Sequence, residues 1–278
     1  MAVKLIAIDI DGTLLDSQWQ IPEANSRAIV EAITRGIEVI LVTGRRFDFA
    51  RPVAVRLPCE LLLIVNNGAL IKSLDGQTHF RRLLSAGTAL DVLKATAAFR
   101  SGAALVFDRP KTGQIVLEHI DWNDPVRHAY YERNSEFISQ VSPLEDALSE
   151  DPIQVMFTGG WNKMRDAQRI LQNARVAEEY TLAITEYENK DFSILDVISP
   201  SCSKGATLKE WVRSRGIARE DVMAVGDNWN DHDMLEFAGL PVVMGNCVPE
   251  LKSRGWPVTL TNDEAGLAAA IRTYAFNE

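Results

Sequence analysis

Strand and helix signals alternate at both ends of this chain and stop alternating in the middle. That interruption limits the available folds more than any other feature. Residues 3–8 form a nearly continuous apolar run rich in β-branched side chains, as expected of a strand buried on both faces. Residues 22–35 read as a helix, with Pro22 in the first turn, Ala28, Ile29, Ala32 and Ile33 at helical spacing, and Gly36 to end it. Residues 37–42 predict a second buried strand, 46–57 a helix interrupted by Pro52, and 61–65 a third strand. Two short strands then flank Asp75-Gly76, a hairpin signal. Strands separated by helices imply a parallel sheet with right-handed crossovers.

From about residue 83 the texture changes. A long amphipathic helix (85–100) leads into strands at 103–107 and 114–119 and a polar, aromatic-rich helix at 124–137. A strand at 153–158, a helix at 161–176 and strands near 180–185 and 192–198 follow. Hairpin-like strand pairs mixed with long helices predict an α+β layer on a largely antiparallel sheet. The alternation resumes with a helix at 204–215, strand 222–226, helix 231–238, strand 242–244 and a terminal helix at 263–274. The expected fold class is α/β: a doubly wound, Rossmann-like parallel-sheet core from residues 1–82 and 199–278, with an α+β domain, 83–198, inserted.

Composition narrows function by exclusion. With 278 residues, 46% of them apolar, the chain can bury cores without structural staples. The net charge of −9 argues against non-specific nucleic-acid binding, and its field would repel an anionic substrate or membrane. Three scattered cysteines (Cys59, Cys202, Cys247) suggest a reduced chain, and four histidines form no zinc pattern. No apolar run is long enough for a signal-peptide core or a membrane span, so a cytoplasmic location is expected. No G-x-G-x-x-G occurs, which leaves a dinucleotide site without support.

Four polar groups fall at strand-to-helix junctions, where ligands bind in open α/β sheets. Asp9-Ile10-Asp11-Gly12-Thr13 closes the first strand; carboxylates at i and i+2 suit a hard cation, or a nucleophile with an acid/base partner, or only a solvated turn. An EF-hand counted from Asp9 fails, because its sixth and twelfth positions are Leu14 and Gln20. Thr43-Gly44-Arg45 follows the second strand, and its hydroxyl, permissive backbone and guanidinium can grip a phosphoryl group. Lys204 opens a helix, a position that by itself reads as surface. Gly226-Asp227-Asn228-Trp229-Asn230-Asp231 follows the buried strand at 222–225; it can cap a helix, or complete an oxygen-ligand cation site with Asp9.

In that order and placement, these groups resemble the haloacid dehalogenase superfamily of phosphotransferases. Asn66-Asn67-Gly68-Ala69 and the Gly226–Asp231 run are similar to its Cof-type phosphatase branch. The resemblance implies that Asp9 is the nucleophile and Asp11 the acid/base. It implies Mg²⁺ held by Asp9, the Asp11 carbonyl and Asp227, with Asn230 and Asp231 in or near the surrounding layer. Thr43, Gly44 and Lys204 would then bind the phosphoryl group, and Arg45 and Asn67 would orient the phosphate or leaving group. The implied activity is a Mg²⁺-dependent phosphatase acting on a small phosphorylated substrate, a sugar phosphate or similar phosphomonoester. The inserted domain would be the cap that selects that substrate. A phosphomutase would use the same residues, and a non-catalytic phosphometabolite-binding protein would keep the fold without the chemistry. His232 is expected to be an exposed helix residue. Trp211 and Phe237 are expected to pack in the core; Trp122, Tyr130, Tyr131 and Trp161 either pack in the inserted domain, the reading preferred, or form a substrate-recognition wall.

Overall fold

A computed structural model describes residues 2–187 and 191–278. The chain divides into two compact units, one formed by Met1–Arg81 with Ser203–Glu278 and the other by Arg82–Cys202. In chain order, the first unit begins with β1 (Leu5–Asp9), α1 (Glu23–Thr34), β2 (Glu38–Val42), α2 (Phe47–Ala54), β3 (Leu62–Val65), β4 (Leu70–Ser73) and β5 (Thr78–Arg81). The second unit holds α3 (Ala86–Ala95), β6 (Ala103–Val106), β7 (Ile115–Leu117), α4 (His128–Asn134) and β8 (Ile138–Gln140). It continues with β9 (Gln154–Gly159), α5 (Trp161–Gln172), β10 (Thr181–Tyr187) and β11 (Phe192–Ile198). The chain then returns to the first unit with α6 (Lys204–Ser214), β12 (Val222–Gly226), α7 (His232–Phe237) and β13 (Leu240–Val243).

In the first unit the seven strands run β13-β12-β1-β2-β3-β4-β5. The first five are parallel, and β4 and β5 turn back as an antiparallel hairpin at one edge. The sheet is therefore mixed, because the Asp75-Gly76 turn, with Gly76 at φ +93°, connects β4 to β5 too tightly for a crossover. Leu5, Ala7, Ile40, Val42, Ile64 and Ala224 pack with Leu208, Val212, Met234 and Leu235 of the covering helices. Trp211 and Phe237 lie against this core, and the Trp211 indole N–H donates to Glu38.

The second unit carries a six-stranded sheet, β10-β11-β9-β6-β7-β8, antiparallel except for the β7–β8 pair. One face packs Leu105, Val155, Phe157, Leu195 and Val197 against Val92 and Leu93 of α3 and Met164, Ala167 and Leu171 of α5. Two helices are shorter than their apolar spacing predicts. At Thr96 the backbone leaves helical geometry and its hydroxyl donates back to the Val92 carbonyl, while the following 3-10 turns still bury Phe99. Before α4 the Asp124 carboxylate accepts from the amides of Val126 and Arg127, so a side-chain turn replaces the first helical turns. Tyr131 is buried, with Trp122 and Tyr130 edge-on to it; Trp122 nonetheless remains exposed. The Trp161 indole donates to the Phe192 carbonyl. No described helix is long and apolar enough to cross a membrane.

Candidate active site

The first unit's sheet changes winding direction beside β1. The chain leaves β1 toward β2 and β3 on one side and returns through β12 and β13 on the other. Such a switch opens a crevice beyond the carboxyl ends of the strands. Asp9 is the last residue of β1, Thr43 follows β2, and Asp227 follows β12. Strand pairing thus brings these three side chains to one sheet edge.

Local geometry then closes them together. Gly12 sits at φ +80°, and a Cβ there would lie 2.3 Å from the Asp227 Oδ2 atom, so only glycine lets the β1 loop approach that carboxylate. The adjacent Thr13 hydroxyl donates to Asp227 Oδ1 at 3.2 Å. Asp231 accepts from the backbone amides of Asp227 and Asn228, both at 3.1 Å, and so fixes the loop after β12. Ser203 caps α6 through its hydroxyl, which places Lys204 in the first helical turn. A lysine there opposes the helix dipole and is almost fully buried. Two carboxylates offset both penalties: the Lys204 ammonium donates to Asp9 Oδ1 and to Asp231 Oδ1, each at 2.6 Å.

One carboxylate oxygen from each of Asp9, Asp227 and Asp231 lies within 4.8 Å of the other two. With all three ionised, these acids would exceed the one ammonium among them by two negative charges. Burial, reinforced by the charge of Asp231, pushes the Asp9 carboxyl well above the ordinary range despite Lys204. Burial and Asp231 likewise raise Asp227 to about 7, against the hydrogen bond from Thr13. Burial alone would discharge Lys204, but Asp231 and Asp9 overcome it and keep the ammonium protonated. A largely buried set of hard oxygen donors with more acids than cations fits a divalent cation.

A second group forms a half-buried rim. Asp11 points to Arg45, whose Nε donates to Oδ2 at 2.8 Å and whose Nη2 donates to Oδ1 at 2.5 Å. Thr43 is buried, and its hydroxyl accepts from the Arg45 amide. Gly44 lies close to Asn67: a Cβ there would come within 2.7 Å of the Asn67 Oδ1 atom, and that side chain would have to shift. Asn67 itself adopts φ +53°. Asn230, in contrast, is exposed on the loop after β12.

Sequence patterns missed two members of this region. Thr13 was visible only as part of the Asp9–Thr13 run. Asn246 donates to the Gly12 carbonyl and accepts from the Asn262 amide, yet its loop has no local signal. His232 is also not the exposed residue expected. Its ring lies 4.6 Å from Trp229 and 5.8 Å from Trp256, and Nε2 is buried with no hydrogen-bond partner among the described residues.

A profile of the haloacid dehalogenase-like hydrolases matches residues 6–271. The chain belongs to that family, and it is an enzyme of the hydrolase class. It is 30% identical to "Phosphatase YwpJ" of Bacillus subtilis, over 96% of this chain and 98% of that one. It is 28% identical to "Pyridoxal phosphate phosphatase YbhA" of Escherichia coli, over 99% of both. A solved haloacid dehalogenase-like hydrolase from B. subtilis, 26% identical, superposes with a TM-score of 0.78 over 98% of this chain and 100% of that one.

Proposed function

We propose that this enzyme is a Mg²⁺-dependent phosphatase that hydrolyses small phosphomonoesters, sugar phosphates or similar metabolites, through an aspartyl-phosphate on Asp9. The observation that carries this reading is the buried Asp9 carboxylate, anchored by Lys204 at the sheet's switch point with Asp227 and Asp231 close beside it. Phosphoryl transfer consists mostly of positioning and charge stabilisation, and those are what this geometry provides. The phosphatase names of its full-length relatives support the same chemistry.

With Asp9 Oδ1 tied to Lys204, Oδ2 is the atom available to attack phosphorus. The bond from phosphorus to the leaving oxygen breaks as the Asp9–phosphorus bond forms, and Asp11 gives its proton to the leaving oxygen. Asp11 then takes a proton from water, which attacks phosphorus and frees Asp9. Thr43, Gly44 and Lys204 would hold the phosphoryl oxygens, and Arg45 and Asn67 would orient the phosphate or its leaving group. Asp9, the Asp11 carbonyl and Asp227 would hold the cation, with Asp231 fixing the loop and Asn230 at its margin. Mg²⁺, when bound, would offset the excess carboxylate charge and so lower the repulsion that a phosphoryl group meets there.

We assign substrate selection to the second unit, acting as a cap, because it enters the chain between β5 and α6 and leaves the strand-end crevice to phosphate chemistry. A cytoplasmic location fits the three free cysteines and a metabolite substrate. Phosphate release from a chromogenic phosphomonoester, with Mg²⁺ and then with chelator, tests the assignment. Turnover that needs Mg²⁺ supports it, and undiminished turnover in chelator rejects it.

A further inference from the structure

Trp19 is the most exposed large apolar side chain described, at 63% of its surface. Its backbone lies at φ +59°, a left-handed conformation that a bulky L residue rarely adopts. The loop around it is built to hold that conformation. The Asp16 carboxylate accepts from the amides of Gln18 and Gln20, and the Asp16 amide and carbonyl bond the Gln20 carbonyl and the Trp19 amide. Arg56 donates to the Trp19 carbonyl at 3.3 Å and to the Gln20 side chain at 2.8 Å. Core packing gives nothing back for this constraint, because the indole is left in solvent.

The ring does have one neighbour of consequence. The Arg45 guanidinium carbon lies over it, 5.5 Å from the ring centroid, while the same guanidinium grips Asp11. Asp11 is two residues from Asp9. The indole therefore stands at the rim of the reaction crevice, with one face over the arginine and the other open. An open indole face offers stacking to a planar ring and no directional hydrogen bonds to hydroxyls.

We propose that Trp19 is a specificity-determining residue, a platform on which the leaving group stacks, and that the favoured substrates are phosphomonoesters of planar aromatic or heteroaromatic alcohols. This rests on the phosphatase reading above and narrows it.

The test compares wild type, W19F and W19G on 4-nitrophenyl phosphate and pyridoxine 5′-phosphate against ribose 5-phosphate and acetyl phosphate. The kcat/KM ratio of aromatic to aliphatic substrates should fall on the order of tenfold in W19G, through KM, and W19F should restore most of it. W19G should also melt no lower than wild type, since glycine relieves the left-handed backbone. A ratio within twofold of wild type in W19G, or an equal loss on all four substrates, overturns the proposal. If wild type hydrolyses none of them, the phosphatase reading fails, and binding then judges Trp19 by itself. Saturable quenching of tryptophan fluorescence by pyridoxine 5′-phosphate, present in wild type and lost in W19F, supports the platform. The same quenching in both, or none in either, refutes it.

Discussion

Asp9 and Asp11 are separated by one residue and end in opposite environments. Asp9 is 4% exposed and bonded to a lysine that is itself 2% exposed. The Asp11 side chain is 42% exposed and bonded to an arginine at 20%. Both contacts are short, so distance does not distinguish them; solvent does. On the floor, removing one partner strands a buried charge and costs about 3–5 kcal/mol. On the rim, water replaces the lost partner, and such pairs contribute about 0–1 kcal/mol. The floor is therefore fixed in geometry. The rim pair is solvated and can exchange its partner for water.

This contrast can be broken in order of effect. Asp9→Asn should cut phosphate release about 10³-fold or more while leaving the protein folded, because it removes the attacking oxygen and retains the shape. Steady-state assay with circular dichroism checks both halves. Lys204→Met should cost about 3–5 kcal/mol in urea unfolding, because three acids then lack any ammonium; a loss under 1 kcal/mol would remove the basis for calling the floor a buried charge network.

Asp227 gives a pH test. Its folded carboxyl titrates near 7, above its unfolded value, so the folded state holds the extra proton. Its stabilising effect is full below the unfolded value, near pH 4, and is lost as pH rises through about 7. In chelator, wild type should therefore weaken over that window. Asp227→Asn should flatten the curve and exceed wild type at pH 8 by about 2–4 kcal/mol, while losing activity. Urea titrations at pH 5 and pH 8 decide it. The smallest change in stability belongs to the rim: Arg45→Ala should alter unfolding by less than about 1 kcal/mol. Its turnover should nonetheless fall about 10–100-fold, and a larger stability loss would make the rim an extension of the floor.

What was readable in sequence tracks how local each signal is. Asp9, Thr43 and Asp227 stand where apolar strand runs end, so their common edge followed from the fold class. The close approach allowed by Gly12 was visible only as a glycine. That Asp11 turns to Arg45, while Asp9 turns to Lys204, depends on pairings across 34 and 195 residues that no local pattern encodes. Trp19 carries no local signal, because neither its φ nor its cationic neighbour has a sequence signature. β8 escaped for a different reason: three residues are too few to show alternation, and the strand exists by pairing with β7. Helix α3 was overextended because Phe99 keeps apolar spacing in a turn that is no longer α-helical.

Asp9 is the group proposed to take the phosphoryl. Acid quench of wild-type enzyme during turnover of a radiolabelled phosphomonoester, followed by peptide mapping, tests it directly. The label should appear on the peptide that contains Asp9 and vanish in Asp9→Asn. Label on another peptide, or full turnover in Asp9→Asn, would contradict the assignment.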